Sequence, residues 1–241
     1  MPAKIIAVMS PKGGVGKTTV AVNLAAALAS IGKRVLIVDA NLDTPHVAIY
    51  YGFIGYKNSL EDVLNGNVQV DEAVYKTENQ NLHILPSRVF KNKGDGNAQY
   101  KIINLFHHLG KVVDDYDFLI LDSKPSSNLD FIKLIKNPST LIVSMPEIAS
   151  MIEAKKLNEE SVAAGVKVLG IVLNRVNKKI SGHMNDAEVS RIVEAKNIWK
   201  IPEDANVFDA LRKGIPIVWQ NQKSPASRSF LELARDIASW G

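Results

Sequence analysis

The sequence predicts an α/β fold, a doubly wound and mainly parallel sheet flanked by helices. Two runs, Arg34-Val35-Leu36-Ile37-Val38-Asp39 and Asp117-Phe118-Leu119-Ile120-Leu121-Asp122, are continuously apolar after their first residue until they end in a carboxylate. Strands covered on both faces read this way, whereas half-exposed strands alternate. Such runs recur between stretches of helical spacing at the separation of βαβ units, which connect by right-handed crossovers.

At 241 residues the chain can bury a substantial core. No internal repeat and no linker rich in Pro, Gly or Ser divides it, so one domain over residues 1–241 is expected. A hydrophobic fraction of 46% against 22% charged residues is ordinary for a globular protein, so disorder is not the default reading. The net charge of +4 is compatible with anionic partners without selecting any. Cysteine is absent, which rules out disulfides, thiolate catalysis, cysteine-bound zinc and protein-ligated iron–sulfur clusters. Met1-Pro2-Ala3-Lys4 leads directly into the first strand, leaving no room for a signal peptide, and no apolar run reaches membrane-spanning length. A cytoplasmic protein is expected.

In order, Ile5-Ile6-Ala7-Val8-Met9 reads as the first strand and Val20-Ala21-Val22-Asn23-Leu24-Ala25-Ala26-Ala27-Leu28 as a helix stopped by Ile31-Gly32-Lys33. The run 34–39 is the second strand. Ser59 caps a short helix over 60–64, and 82–86 reads as a strand. Residues 90–97 have a loop's composition, and helical spacing returns over 102–109. Strands follow at 117–122, 140–144 and 166–173, with a helix around 150–164, and a helix over 227–240 closes the chain.

Between the first strand and first helix lies Ser10-Pro11-Lys12-Gly13-Gly14-Val15-Gly16-Lys17-Thr18-Thr19. Strand, glycine-rich turn and helix start are what a phosphate-binding loop requires. The glycines let successive N–H groups converge on one anion, and the helix N-terminus adds its partial positive charge. Lys17 would reach the β- and γ-phosphates, and the Thr18 hydroxyl would ligate Mg²⁺. The usual G-x-x-x-x-G-K-[ST] pattern is broken, because Pro11 stands where its first glycine belongs and an additional lysine, Lys12, precedes Gly13.

With that extra lysine, the turn resembles the deviant phosphate-binding loop of the MinD/ParA ATPases. The resemblance runs from Lys4 to about Trp240. The stretch Asp62-Val63-Leu64-Asn65-Gly66-Asn67, followed by Ala73-Val74-Tyr75, is most like archaeal MinD-type members. It implies a P-loop NTPase fold, ATP and ADP as ligands and Mg²⁺ as metal. It further implies a nucleotide site made by Lys12, Gly13, Gly14, Val15, Gly16, Lys17, Thr18 and Thr19. Related proteins that carry iron–sulfur clusters are excluded by the missing cysteines, and the tyrosine-kinase relatives by the lack of a terminal tyrosine cluster.

Asp122 stands where this resemblance places the aspartate that holds Mg²⁺ through its water shell, although a strand-end carboxylate also caps following segments. After it, Lys124 either contacts the γ-phosphate or points outward. Lys12, Lys17, Asp39 and Asn41 form the expected catalytic set. In relatives the strand carrying Asp39 ends Asp-x-Asp, and the second aspartate positions the attacking water. Here that position is Asn41, whose amide holds a water without taking its proton. Phosphoryl transfer depends mainly on positioning and charge, so slow hydrolysis is expected rather than none. Asp43 either substitutes for the missing carboxylate or caps the turn at Thr44-Pro45.

At the base end, Asn174-Arg175 matches a pair in which the asparagine reads adenine, since an amide can both donate to and accept from one base. The plainer reading is an asparagine closing a strand. Asn177-Lys178-Lys179-Ile180 lacks the carboxylate that reads guanine, which disfavours GTP. Ile201-Pro202-Glu203-Asp204 resembles the segment flanking the base, and Glu147 matches a glutamate that approaches nucleotide across a dimer.

The resemblance implies a homodimer in the ATP state, with Lys12 of each protomer reaching the phosphates bound by the other. It also implies spatial positioning of the division site or other machinery, with an activating or cargo protein. Phe230, Leu233, Ala234, Ile237 and Ala238 give the last helix an apolar face, but Arg235 is opposed by Glu232 and Asp236. That pattern reads as a core helix, so peripheral membrane association would need a partner or a missing tail. Two other readings stand beside this one. Arg212, Lys213, Lys223 and Arg228 allow a sparse phosphate-contacting patch for a ParA-like ATPase binding DNA non-specifically, and Asn41 allows a nucleotide-sensing adaptor that hardly turns over.

Overall fold

The computed structural model describes residues 3–89, 105–110, 112–124, 139–177, 179–180 and 184–240. Its strands are β1 (Lys4–Met9), β2 (Val35–Asp39), β3 (Tyr75–Lys76), β4 (Leu82–Leu85), β5 (Phe118–Asp122), β6 (Ser139–Ser144), β7 (Lys167–Val176) and β8 (Ile198–Pro202). They form one eight-stranded sheet in the order β3-β4-β2-β5-β1-β6-β7-β8. Among the described residues only the edge pair β3–β4 is antiparallel. The expected architecture is therefore the one observed.

Helices cover both faces: α1 (Lys17–Ser30), α2 (Val47–Tyr50), α3 (Leu60–Leu64), α4 (Leu105–Leu109), α5 (Ile148–Ala163), α6 (Asp186–Ile192), α7 (Asn206–Lys213), α8 (Ile217–Gln220) and α9 (Pro225–Ser239). The two-residue period of a strand divides the core in two. Ile6 and Val8 of β1 pack with α1 and α9, while Ala7 and Met9 pack with α3, α4 and α5. α1 is buried around its whole circumference from Val20 to Ala29, which its alanines allow by letting sheet and α9 approach. It ends at Ile31, and Gly32 beyond it takes the left-handed conformation, φ 84°. α3 opens with a capping box, Ser59 and Asp62 bonding each other's backbone N–H.

From β1 the chain crosses through α1 to β2. It later returns through β5, which lies between β2 and β1, and continues to β6 on the far side of β1. Ligand crevices open at such reversals, outside the carboxyl ends of the strands. Turns after β1, β2, β5, β7 and β8 all emerge at that end.

Several elements escape a reading of periodicity. β8 is interrupted by Lys200, β3 is two residues long, and α7 buries only Ala210. β7 also runs further than 166–173, carrying Asn174 and Arg175 inside the strand. The expected loop over 90–97 lies outside the described residues, as do residues 102–104 of the expected helix; α4 is its remainder.

Candidate functional site

The turn over residues 10–16 joins β1 to α1. Gly14 and Gly16 hold φ 82° and 90°, the left-handed region that side chains resist. A Cβ on Gly16 would also stand 2.1 Å from Asn174 Nδ2. That amide donates to the Val15 carbonyl at 2.8 Å, so β7 is pinned to the turn through a pair of residues far apart in sequence. A Cβ on Gly13 or Gly14 would meet no protein atom within 4 Å. The space above these two glycines is therefore open.

Lys17 and Thr18 begin α1 and face the end of β5, where pairing of Val8 with Asp122 sets the carboxylate beside the turn. Lys17 Nζ lies 2.5 Å from Asp122 Oδ1, and the Thr18 hydroxyl donates to Oδ2 at 2.6 Å. Both members of the ion pair are buried. Burying two charges costs more than such a pair usually returns to stability, so its presence in the crevice points to use rather than to folding.

Asp39 lies beneath the cleft rather than in its wall. Its carboxylate accepts from the backbone N–H of Val47 at 2.9 Å and of Asn41 at 3.3 Å. Burial, reinforced by the Asp122 carboxylate, holds Asp39 well above the usual carboxyl range. Asn41 does line the cleft, but its amide is spent on the following turn, donating to the Thr44 carbonyl at 2.9 Å and hydroxyl at 3.0 Å. Asp43 and Lys124 pair with each other, and neither lines the cleft.

The cleft over the turn encloses about 490 Å³ and is walled by Lys12, Gly13, Gly14, Lys17, Thr18, Thr19, Asn41 and Arg175. Lys12 makes no ion pair among the described residues. An adjoining recess of about 150 Å³ is lined by Asn174, Arg175, Pro202, Glu203, Asp204 and Phe208. Arg175 belongs to both and carries φ 54°, a conformation no other described non-glycine residue adopts. Glu203 accepts from Asn177 at 2.8 Å. Asp204 accepts from the Asn206 backbone and side chain and from the Ala226 N–H, tying α7 to α9. Partial burial pushes its carboxyl up, but these hydrogen bonds hold it below the ordinary range. Glu147, just before α5, lines neither recess.

Two cleft residues that carry polar groups were not singled out in the sequence. The Tyr50 hydroxyl lies 2.7 Å from the Thr19 hydroxyl, and its ring lines both recesses. His46, exposed at the start of α2, opens into the larger one. Neither belongs to a spacing pattern that marks it in advance.

The AAA-domain family matches residues 3–181. A protein of Methanocaldococcus jannaschii, described as an uncharacterised ATP-binding protein, is 34% identical over 97% of this chain and 88% of its own. The cell division ATPase MinD of Pyrococcus furiosus superposes with a TM-score of 0.88 at 29% identity, covering 98% of both chains. The septum site-determining protein MinD of Pyrococcus horikoshii, solved with Mg-ADP, gives 0.88 at 28% identity over 98% of this chain and 96% of its own.

Proposed function

The chain belongs to the AAA-domain family and, within it, to the MinD/ParA ATPases, and from that membership we propose that it is an ATP-hydrolysing switch whose two protomers enclose ATP between them. One observation carries the reading: Lys17 and Thr18 converge on Asp122 at the foot of a glycine turn whose upper side is open. A triphosphate entering that space supplies Lys17 with β- and γ-oxygens in place of the aspartate, while the turn's N–H groups and the start of α1 receive the remaining charge.

The site fits Mg²⁺. Among the described residues no group of three acidic or imidazole ligands could hold a metal by itself, and Mg²⁺ characteristically takes one or two protein oxygens with phosphates and waters. The Thr18 hydroxyl and the Asp122 carboxylate offer such oxygens. When bound, the ion offsets charge on the β- and γ-phosphates. Asn174 and Arg175 form the wall of the smaller recess, the place for an adenine, with Pro202, Glu203 and Asp204 opposite. Asn174 holds Val15 with its amide N–H, which leaves its amide oxygen for the base.

Lys12, in the cleft wall and without an ion partner among the described residues, is the cation for the second protomer's phosphates. Hydrolysis to ADP and phosphate then loosens the dimer, so nucleotide state governs association. A role in spatial positioning follows the likeness to the two Pyrococcus proteins. The engagement of Asn41 with Thr44 favours slow turnover, and in the limit an adaptor that binds ATP without consuming it.

The test is solution mass with ATP, with ADP, and for Lys12→Ala with ATP. A dimer only for the unchanged chain with ATP is expected; a monomer in all three conditions removes the sandwich. A single-turnover assay separates slow switch from adaptor.

A further inference from the structure

Hydrolysis needs somewhere for the attacking water's proton to go, and the walls of the phosphate cleft offer little. Its described lining contains no carboxylate at all. Lysine and arginine side chains are charged at neutral pH and accept nothing, tyrosine and threonine hydroxyls are weak bases, and an amide takes no proton. Asn41 is moreover tied to Thr44. The nearby carboxylates are committed: Asp39 to the Val47 and Asn41 N–H groups under α2, Asp122 to Lys17 and Thr18, and Asp43 to Lys124. One lining side chain remains whose chemistry includes taking up a proton, the exposed imidazole of His46.

We propose that His46 is the general base of ATP hydrolysis in this chain, a proposal that rests on the ATPase reading above. The backbone that carries it is held from below, because the Asp39 carboxylate accepts from the N–H of Val47, the next residue, and so sets where α2 starts. In the step, the water oxygen bonds to the γ-phosphorus as the bond from that phosphorus to the β,γ-bridging oxygen breaks. The bridging oxygen keeps the electron pair and leaves with ADP. The water's proton passes to the unprotonated imidazole nitrogen, and the imidazolium releases it to solvent after phosphate departs. Lys12, Lys17 and Arg175 share the cleft with His46, and Tyr50 stands one turn along α2.

The experiment compares the unchanged chain with His46→Gln and His46→Ala, in single-turnover ATP hydrolysis from pH 5.5 to 8.5 and in nucleotide titrations. Both variants are expected to bind ATP within about threefold of the unchanged chain and to hydrolyse it about 100-fold more slowly, the range of a positioned base. Added imidazole restores a measurable part of the His46→Ala rate but leaves His46→Gln unmoved, and the acid limb of the pH profile disappears in both. Independently of turnover, a histidine NMR resonance missing from His46→Gln shifts when ADP and Mg²⁺ are added to the unchanged chain. Unaltered rates and profile in the variants, with ATP still bound and hydrolysed, overturn the role of His46 and leave the ATPase reading standing. An unchanged chain that binds ATP but never hydrolyses it overturns both.

Discussion

A methyl group on Gly16 would enter space already held by the Asn174 amide, 2.1 Å away, and would ask an L residue to hold φ 90°. Gly16→Ala should therefore cost about 1–3 kcal/mol in urea denaturation and abolish ADP binding, because β7 can no longer sit against the turn. Gly13→Ala meets nothing in the protein, so its stability should stay within about 0.5 kcal/mol while nucleotide affinity falls. If Gly13→Ala bound ADP normally, the open space over the turn would not be the phosphate cradle. Asp39 makes a different prediction. Its folded carboxyl titrates well above its unfolded value, so the stability it lends is complete below about pH 4 and is lost as pH rises toward the raised value. Asp39→Asn removes that loss, and the stability of the variant relative to the parent should grow from pH 4 to pH 7 in urea titrations without nucleotide. A flat difference would show that burial does not hold the proton on Asp39. The motif residues were legible because a phosphate loop is a local device. Asn174 against Gly16, and His46 in the cleft wall, were not, because each depends on a neighbour that the fold delivers from elsewhere.

Among the elements, α1 and α9 carry one side of the sheet and account for much of its core. Ser224 caps α9 by accepting from Ser227 N–H at 3.1 Å, Pro225 follows at the first helical position, and Phe230, Leu233, Ala234 and Ile237 are buried. Glu232, Arg235 and Asp236 stay exposed, so this helix spends its apolar face on the core, as its charge pattern suggested. Phe230→Ala should lower unfolding free energy by about 3–5 kcal/mol and Ser224→Ala by about 1 kcal/mol. A loss below 1 kcal/mol for Phe230→Ala would mean that the helix is not docked as described. β2 and β5 were readable as continuous apolar runs ending in a carboxylate, α1 as a mainly apolar stretch behind the glycine turn, and α9 from its one-sided apolar spacing. β8 and α7 were not: β8 mixes Trp199 and Lys200 in five residues, and α7 is mostly solvated. Those two elements nonetheless supply Pro202, Val207 and Phe208 to the smaller recess, whose polar lining of Asn174, Arg175, Glu203 and Asp204 was named in advance while its apolar side, Val207 and Phe208, was not.

Across the whole molecule, the crevice gathers Lys17 and Thr18 after β1, Asp122 from β5, Asn174 and Arg175 from β7, and Pro202 from β8. A nucleotide held there touches strands on both sides of the point where the winding reverses, so binding should be felt by the entire sheet. At ADP and Mg²⁺ a hundredfold above the dissociation constant, mass action adds about 2.7 kcal/mol. For a chain of this size that corresponds to about 5–10 °C in the unfolding midpoint. Lys17→Ala should lose this shift. Lys12→Ala should keep it with ADP, because in the proposed arrangement Lys12 serves the other protomer's phosphates. With ATP the two cases part. A nucleotide-bridged dimer unfolds at a midpoint that rises with protein concentration, and a monomer does not. The unchanged chain with ATP should therefore show a concentration-dependent midpoint that Lys12→Ala abolishes while retaining its ligand-induced shift. A midpoint independent of concentration for both would leave a nucleotide-binding monomer, and Lys12 would then be one more cation in its own cleft.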